Sequence, residues 1–116
     1  MKRFLFYFGY NTPSQWQENE EHGRDDEFSA GFIVVAPTAE AALTWGAEIA
    51  EALVGMLFRR ANWSEPIPSW KKVGFAHWID ESEEAEVQMS TPGQFAVVQA
   101  GEWPDFGAPE WQDLVG

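Results

Sequence analysis

His77 and the two carboxylates that follow it, Asp80 and Glu81, form the histidine–carboxylate cluster that could do chemistry in this sequence. An imidazole beside carboxylates can hold a metal ion or act as a general base. In an extended strand, however, His77 shares a face with Phe75 and Ile79, which are apolar. Asp80 then points to the opposite face. One histidine at this spacing does not define a site, so we interpret His77 as a half-buried strand residue beside an acidic turn.

The second histidine, His22, lies among four carboxylates: Glu20, Glu21, Asp25 and Asp26. A hard cation such as calcium needs oxygen ligands at a fixed loop spacing, with a glycine at the turn. The run Asp25-Asp26-Glu27 lacks that alternation, and Gly23 precedes the run instead of interrupting it. We therefore predict a solvated loop here and no metal site.

Other catalytic and cofactor-binding motifs are absent from the sequence. No serine stands in a Gly-x-Ser-x-Gly context, and no glycine-rich phosphate loop is present. The chain has no cysteine, which excludes disulfides and thiolate zinc sites. We predict a protein that is not an enzyme, with no catalytic residue, no metal and no cofactor. A small enzyme or metal binder that uses His77 with nearby carboxylates is one alternative.

The chain is strongly acidic, with 19 acidic and 7 basic residues among 116 and a formal net charge of −12. This charge argues against nucleic acids and anionic membranes as ligands, because both need a basic face. It is compatible with a basic protein partner, with cation binding or with solubility alone. Two clusters hold our candidate partner-binding carboxylates: Glu20, Glu21, Asp25, Asp26 and Glu27 in the first, and Asp80, Glu81, Glu83, Glu84 and Glu86 in the second.

Seven tryptophans are many for a chain of this length. Exposed aromatic rings can stack on sugars or form hot spots of a protein interface. Buried ones anchor the core and its loops, which is the commoner role. We predict that Trp103 and Trp111, in the tail that follows residue 100, contribute to partner binding.

Four segments have the composition of strands: residues 3–9, 28–36, 73–79 and 95–100. The first segment is apolar on both faces, which predicts a central strand that is covered on both sides. Between the second and third, Thr38 can cap a helix whose apolar residues recur at three- and four-residue steps as far as Arg60. Gly46 lies on the apolar stripe of that helix, so we expect the helix to approach the sheet closely there.

The element order is therefore strand, strand, helix, strand, strand in a single domain, residues 1–116. We predict an α+β fold with a four-stranded mixed, mostly antiparallel sheet, one long amphipathic helix on one face and a Trp-rich tail. The helical crossover should make strands two and three parallel neighbours or near neighbours, while the first and last pairs should be antiparallel. The second face needs its own cover, which we expect from the tail, from the proline-containing loop around residues 61–72 or from another copy of the chain.

The leading functional hypothesis is a non-catalytic binding protein whose acidic loops engage a basic protein partner. This acidic composition without a catalytic set is similar to that of bacterial toxin-immunity proteins and anti-defence inhibitors, although no motif carries the similarity. A structural or assembly homodimer with a solubilising acidic surface is the other alternative. No segment has the pattern of a signal peptide or approaches the about 20 apolar residues of a membrane span, so we expect a cytoplasmic protein.

Overall fold

Two long antiparallel strands form the centre of the fold in this computed structural model, which describes residues 1–115. Strand β1 (Lys2–Tyr10) pairs along its whole length with β2 (Phe28–Ala36), from Lys2 opposite Ala36 to Tyr10 opposite Phe28. Five of the nine residues of β1 and four of the nine residues of β2 are buried, because their apolar side chains alternate onto both faces of the sheet. The prediction that the first strand is central is confirmed.

Two short strands complete a four-stranded sheet in the order β3-β1-β2-β4. Strand β3 (His77–Asp80) pairs antiparallel with β1, and β4 (Val97–Gln99) pairs parallel with β2. The predicted α+β fold with a mixed sheet is therefore confirmed. The second and third strands run in the same direction on either side of β1, as near neighbours. The predicted antiparallel pairing of the last two strands is wrong, because β3 and β4 lie at opposite edges.

The long helix α2 (Ala39–Arg60) covers one face of the sheet. The Thr38 side chain caps it by accepting a hydrogen bond from the Ala41 N–H at 3.1 Å. By length and composition alone α2 could cross a membrane. Here, however, its apolar side packs on the sheet as the core helix of a compact unit, which suggests a soluble protein. The buried positions of α2 are Ala42, Gly46, Ile49, Ala50, Leu53, Val54, Leu57 and Phe58.

Short helices fill the connections on both sides of α2. Helix α1 (Pro13–His22) is capped by Thr12, and its Trp16 packs on Phe58 with 6.4 Å between ring centroids. Helix α3 (Trp70–Val73) occupies the place where we predicted the loop to end and a strand to begin. Ser69 caps α3, and Gly74 ends it in a left-handed conformation with φ of 82°. The third strand therefore starts four residues later than predicted, at His77.

Helix α4 (Glu83–Met89) covers part of the second sheet face, which is the face opposite α2. Its buried residues Ala85 and Met89, four positions apart, pack with Leu5 and Ile33. The segment was interpreted from its sequence as an acidic cluster, because five of the residues between Asp80 and Glu86 are carboxylates. Ser82 nonetheless caps a helix there, accepting a hydrogen bond from the Ala85 N–H at 3.2 Å.

The tail does not cover the second face, contrary to our expectation. It forms α5 (Pro109–Gln112) and a 3-10 turn (Asp113–Val115) on the α2 side of the sheet. Trp111 is 3% exposed, and its ring centroid lies 5.3 Å from that of Phe32. The tail begins after β4, which pairs with β2. Phe32 of β2 lies on the α2 side of the sheet and gives the tail an apolar surface on that side.

Candidate interaction surface

The second sheet face carries three neighbouring aromatic side chains, one exposed (Trp78) and two part-buried (Tyr7 and Phe95), which we call the aromatic row. Tyr7 and Trp78 lie opposite each other on β1 and β3, and their rings stack with a centroid separation of 5.9 Å. Phe95 meets the other side of Tyr7 edge-on at 6.4 Å. Trp78 is 47% exposed, so α4 leaves this member of the row uncovered, whereas Tyr7 and Phe95 pack partly against the residues under α4.

Two glycines form the floor beside the aromatic row. The Tyr7 ring lies over Gly31, where an added Cβ would come within 2.6 Å of the ring. A carboxylate oxygen of Glu27 lies over Gly9, 2.7 Å from the position of an added Cβ. Larger residues at these two positions would displace both side chains. Glycine at these two positions therefore lets the Tyr7 ring and the Glu27 carboxylate lie directly on the backbone of the sheet.

Asp80 links the aromatic row to the second acidic cluster. Its side chain accepts a hydrogen bond from the Ser82 N–H at 3.0 Å, and hydrogen bonds from Ser82 hold the pKa of this carboxyl below its usual value. Burial raises the pKa of the Tyr7 hydroxyl, and the negative charge of Asp80 raises it further. The Tyr7 hydroxyl donates to the Gln88 side chain at 3.3 Å, which ties the aromatic row to α4.

A cleft of about 510 Å³ lies where α4 ends beside the start of β1. Its lining mixes the cations Lys2 and Arg3 with three carboxylates of the second cluster: Asp80, Glu81 and Glu86. Arg3 donates to the Met89 carbonyl at the end of α4, where a positive charge complements the helix dipole. Lys2 and Arg3 therefore offset part of the negative charge of the second cluster at the cleft. Glu83 and Glu84 lie outside the cleft lining.

The first acidic cluster lies at the opposite end of β1. It occupies the end of α1 and the loop that leads into β2, and Asn11 and Asn19 hold this loop by donating to the Asp26 carbonyl at 2.7 and 2.8 Å. β1 spans roughly 27 Å at about 3.4 Å per residue. The structure therefore separates the two clusters, although Glu27 of the first cluster extends over the second face beside Gly9.

None of the candidate carboxylates is neutralised by an ion pair within residues 1–115. Across that range, the one ion pair within 4.0 Å joins Lys71 to Glu48, on the outer side of α2. Glu51 of α2 also has partners. It accepts from the Ser69 hydroxyl at 2.8 Å and from the Lys71 N–H at 2.7 Å, and so fixes α3 against α2.

The two candidate tryptophans of the tail lie on the α2 side, away from the aromatic row. Trp111 belongs to the core and offers no surface to a partner. Trp103 is 58% exposed, and its ring packs on Trp45 with a centroid separation of 4.9 Å. A partner on the aromatic row would therefore touch neither of them, and only Trp103 stays available for a separate contact.

His77 does not meet its neighbouring carboxylates. Its ring lies 5.1 Å from that of Trp70, and its Nδ1 lies 3.0 Å from the Phe75 carbonyl oxygen. It is exposed, whereas we predicted it to be half-buried. In the described part of the chain, no group of three histidine, aspartate or glutamate side chains could hold a metal ion.

The sequence analysis missed all three members of the aromatic row. Alternation along β1 turns Tyr7 away from Phe6, and alternation along β3 turns Trp78 away from His77. Only the register of the two strands places Tyr7 and Trp78 side by side on one face. No protein-family model, curated protein or solved structure matches the chain. The assignment of a function therefore rests on this surface itself.

Proposed function

We propose that this protein is a non-catalytic, cytoplasmic binding protein that engages a basic protein partner, in the manner of an immunity or inhibitor protein. The observation that carries the proposal is the position of the aromatic row directly beside the unpaired carboxylates of α4. Long-range attraction by carboxylates raises association rates, while desolvated aromatic side chains supply most of the affinity of protein interfaces. Both features lie on one side of the molecule.

The surface is built so that the two features act together. Asp80 is near enough to raise the pKa of Tyr7, and Gln88 of α4 is bonded to the Tyr7 hydroxyl. A partner that covers Trp78 and Tyr7 would therefore lie against α4 and its outer carboxylates, Glu83 and Glu84. Val97, which is 53% exposed, extends the apolar part of the face at the other edge of the sheet.

A homodimer that covers the second face is the second candidate. The exposure of Trp78 and Val97 on one sheet face favours it, since such patches commonly mark interfaces. Two copies with a charge of −12 each would, however, repel one another across an acidic rim. We therefore place the heterologous, basic partner first.

Kinetic measurements with a partner captured from a lysate of the source organism test the proposal. Replacing three carboxylates of α4 with glutamine (Glu83→Gln, Glu84→Gln and Glu86→Gln) should slow association and flatten its dependence on salt. A matched variant, Glu18→Gln, Glu65→Gln and Glu102→Gln, removes the same charge from exposed positions outside both acidic clusters and should change the rate much less.

Trp78→Ala should mainly speed dissociation, because it removes an aromatic anchor and leaves the charge unchanged. A captured partner that is acidic, or one whose association rate is the same for both charge variants, would refute the proposal. Sedimentation of the protein alone decides the second candidate, since a stable dimer that Trp78→Ala disrupts would favour it.

A further inference from the structure

Within residues 1–115, strand β3 leaves its outer backbone groups without partners. The Gly9 N–H donates to the Ala76 carbonyl at 2.9 Å, just before β3 begins. In an antiparallel pair, hydrogen-bonded positions alternate with non-bonded ones. Trp78 and Asp80 therefore point their N–H and C=O groups at β1, whereas those of His77 and Ile79 point away from the sheet. We call these four outward groups the free edge of β3.

The free edge has no protein partner in the described residues. β3 pairs with β1 alone, and no hydrogen bond within residues 1–115 reaches the N–H or C=O of His77 or Ile79. Proteins commonly protect such edges with lysine, proline or a bulge, because an unprotected edge invites another strand. β3 has the sequence His-Trp-Ile-Asp, which contains neither lysine nor proline. Its most exposed apolar side chain is Trp78.

We propose that the free edge of β3 accepts an extended basic segment of the partner as an added antiparallel strand. This inference rests on the proposed function, since it specifies how the basic partner binds. The added strand would make four backbone hydrogen bonds, two with His77 and two with Ile79. The sheet would then extend by one strand beside the aromatic row.

The side chains around the free edge specify the pattern of the segment. Residues directly opposite each other on antiparallel strands point to the same face, about 5 Å apart. One partner residue would therefore lie opposite Trp78 and another opposite Asp80, both on the second face. Arginine suits both positions, because it stacks on aromatic rings and binds carboxylates. The partner residues opposite His77 and Ile79 would lie on the α2 side, where apolar side chains fit beside Trp70 and Ile79.

Charge complementarity identifies the occupant as basic. Asp80 and Glu81 lie at one end of β3, and the carboxylates of α4 follow on the adjoining face. Residues 77–115 contain no lysine or arginine, and the cations that line a cleft with Asp80 and Glu81, Lys2 and Arg3, come from β1 on the paired side of β3. A second copy of β3 would bring the same carboxylates to this edge, so it fits less well than an arginine-rich segment.

A peptide with alternating residues, acetyl-(Arg-Val)-(Arg-Val)-(Arg-Val)-amide, is the probe for this inference. In the proposed pairing, valine N–H groups point at β3 and arginine N–H groups point to solvent. N-methylation of two valines should therefore weaken binding by about 25-fold, since each net hydrogen bond is worth about a factor of five. N-methylation of two arginines gives a peptide of the same charge and mass, which should bind like the parent peptide.

Two measurements on the protein complete the test. Hydrogen exchange at the amides of His77 and Ile79 should slow by about tenfold or more when the peptide is bound at saturation. His77→Pro removes one outward N–H without touching the bonds to β1, and it should weaken binding, whereas His77→Ala keeps that N–H and should not. Circular dichroism melts of both variants establish that each one is folded.

The outcomes separate this inference from the proposed function. Equal binding of both methylated peptides, or stronger loss with methylated arginines, would overturn antiparallel strand addition. In that case salt-dependent binding of the captured partner would still support the acidic surface. Protection of His77 without peptide, together with a dimeric mass, would assign the free edge to a second copy and would also overturn the inference.

Discussion

The two glycines of α2 should respond in opposite directions to the same substitution. A Cβ at position 46 would lie 2.3, 2.5 and 2.6 Å from three ring carbons of Phe6. Carbon atoms in contact are normally about 3.5–4.0 Å apart, so the overlap exceeds about 1 Å. At position 55, by contrast, a Cβ would meet only the end of the Arg59 side chain, at 3.3 Å, and that flexible group can move away.

The magnitude follows from two opposing effects. Alanine in a helix interior is about 1 kcal/mol more favourable than glycine, and Gly55→Ala should realise most of that gain. Overpacking a buried position costs about 1–3 kcal/mol, and we expect a cost of about 3 kcal/mol at position 46. The Phe6 ring has little freedom to move, because it is fully buried and lies 5.1 Å from the Phe32 ring. We expect Gly46→Ala to lower the free energy of unfolding by about 2 kcal/mol.

Urea unfolding and thermal melts of both variants check this prediction. For a domain of this size, about 1 kcal/mol corresponds to about 4 °C in Tm. Gly46→Ala should therefore lower Tm by about 8 °C, and Gly55→Ala should raise it by about 2–4 °C. A Gly46→Ala protein as stable as the parent would refute the close approach of α2 to Phe6. Equal losses at both positions would show that the helix backbone, and not the Phe6 contact, controls the result.

Four further substitutions test the packing and the charge of the fold. Leu53→Ala should cost about 2–5 kcal/mol in urea unfolding, since Leu53 is fully buried, and Glu51→Ala should cost about 1–2 kcal/mol because it frees Ser69 and Lys71. Trp111→Ala should cost about 3–5 kcal/mol, and a tail whose loss leaves Tm unchanged would contradict its place in the core. The pKa of Tyr7 is raised above 10.0 in the folded protein. The free energy of unfolding should therefore hold below about pH 10 and fall as the pH rises through that raised pKa. Tyr7→Phe should reduce this fall when unfolding is measured between about pH 8 and pH 11.

The central parts of the fold could be predicted from sequence because their patterns are long and repetitive. The strand at residues 28–36 and the helix that ends at Arg60 have the predicted limits, since Thr38 caps the helix and Pro37 separates the two. Gly46 was expected to mark a close approach, and it does. Each of these inferences uses residues that are neighbours in the chain, where periodicity is most informative.

The edges of the sheet could not be predicted because they depend on residues far apart in sequence. β4 has three residues and β3 has four, so neither contains enough alternation to select its neighbour. The parallel pairing of β4 with β2 follows from α4, which carries the chain across the second face before β4 begins. That helix has only two buried residues, Ala85 and Met89, and the high density of carboxylates around them conceals its apolar side.

The same short helix explains why the candidate surface differs from the one expected. A longer or more apolar α4 would cover the second face completely and would bury the aromatic row. With its two buried residues it covers Leu5 and Ile33 and leaves Trp78 exposed. The carboxylates that keep α4 soluble therefore border the part of the face that α4 leaves open. A partner that removes Trp78 from water must come close to those carboxylates, and this proximity is the physical reason for proposing a basic partner.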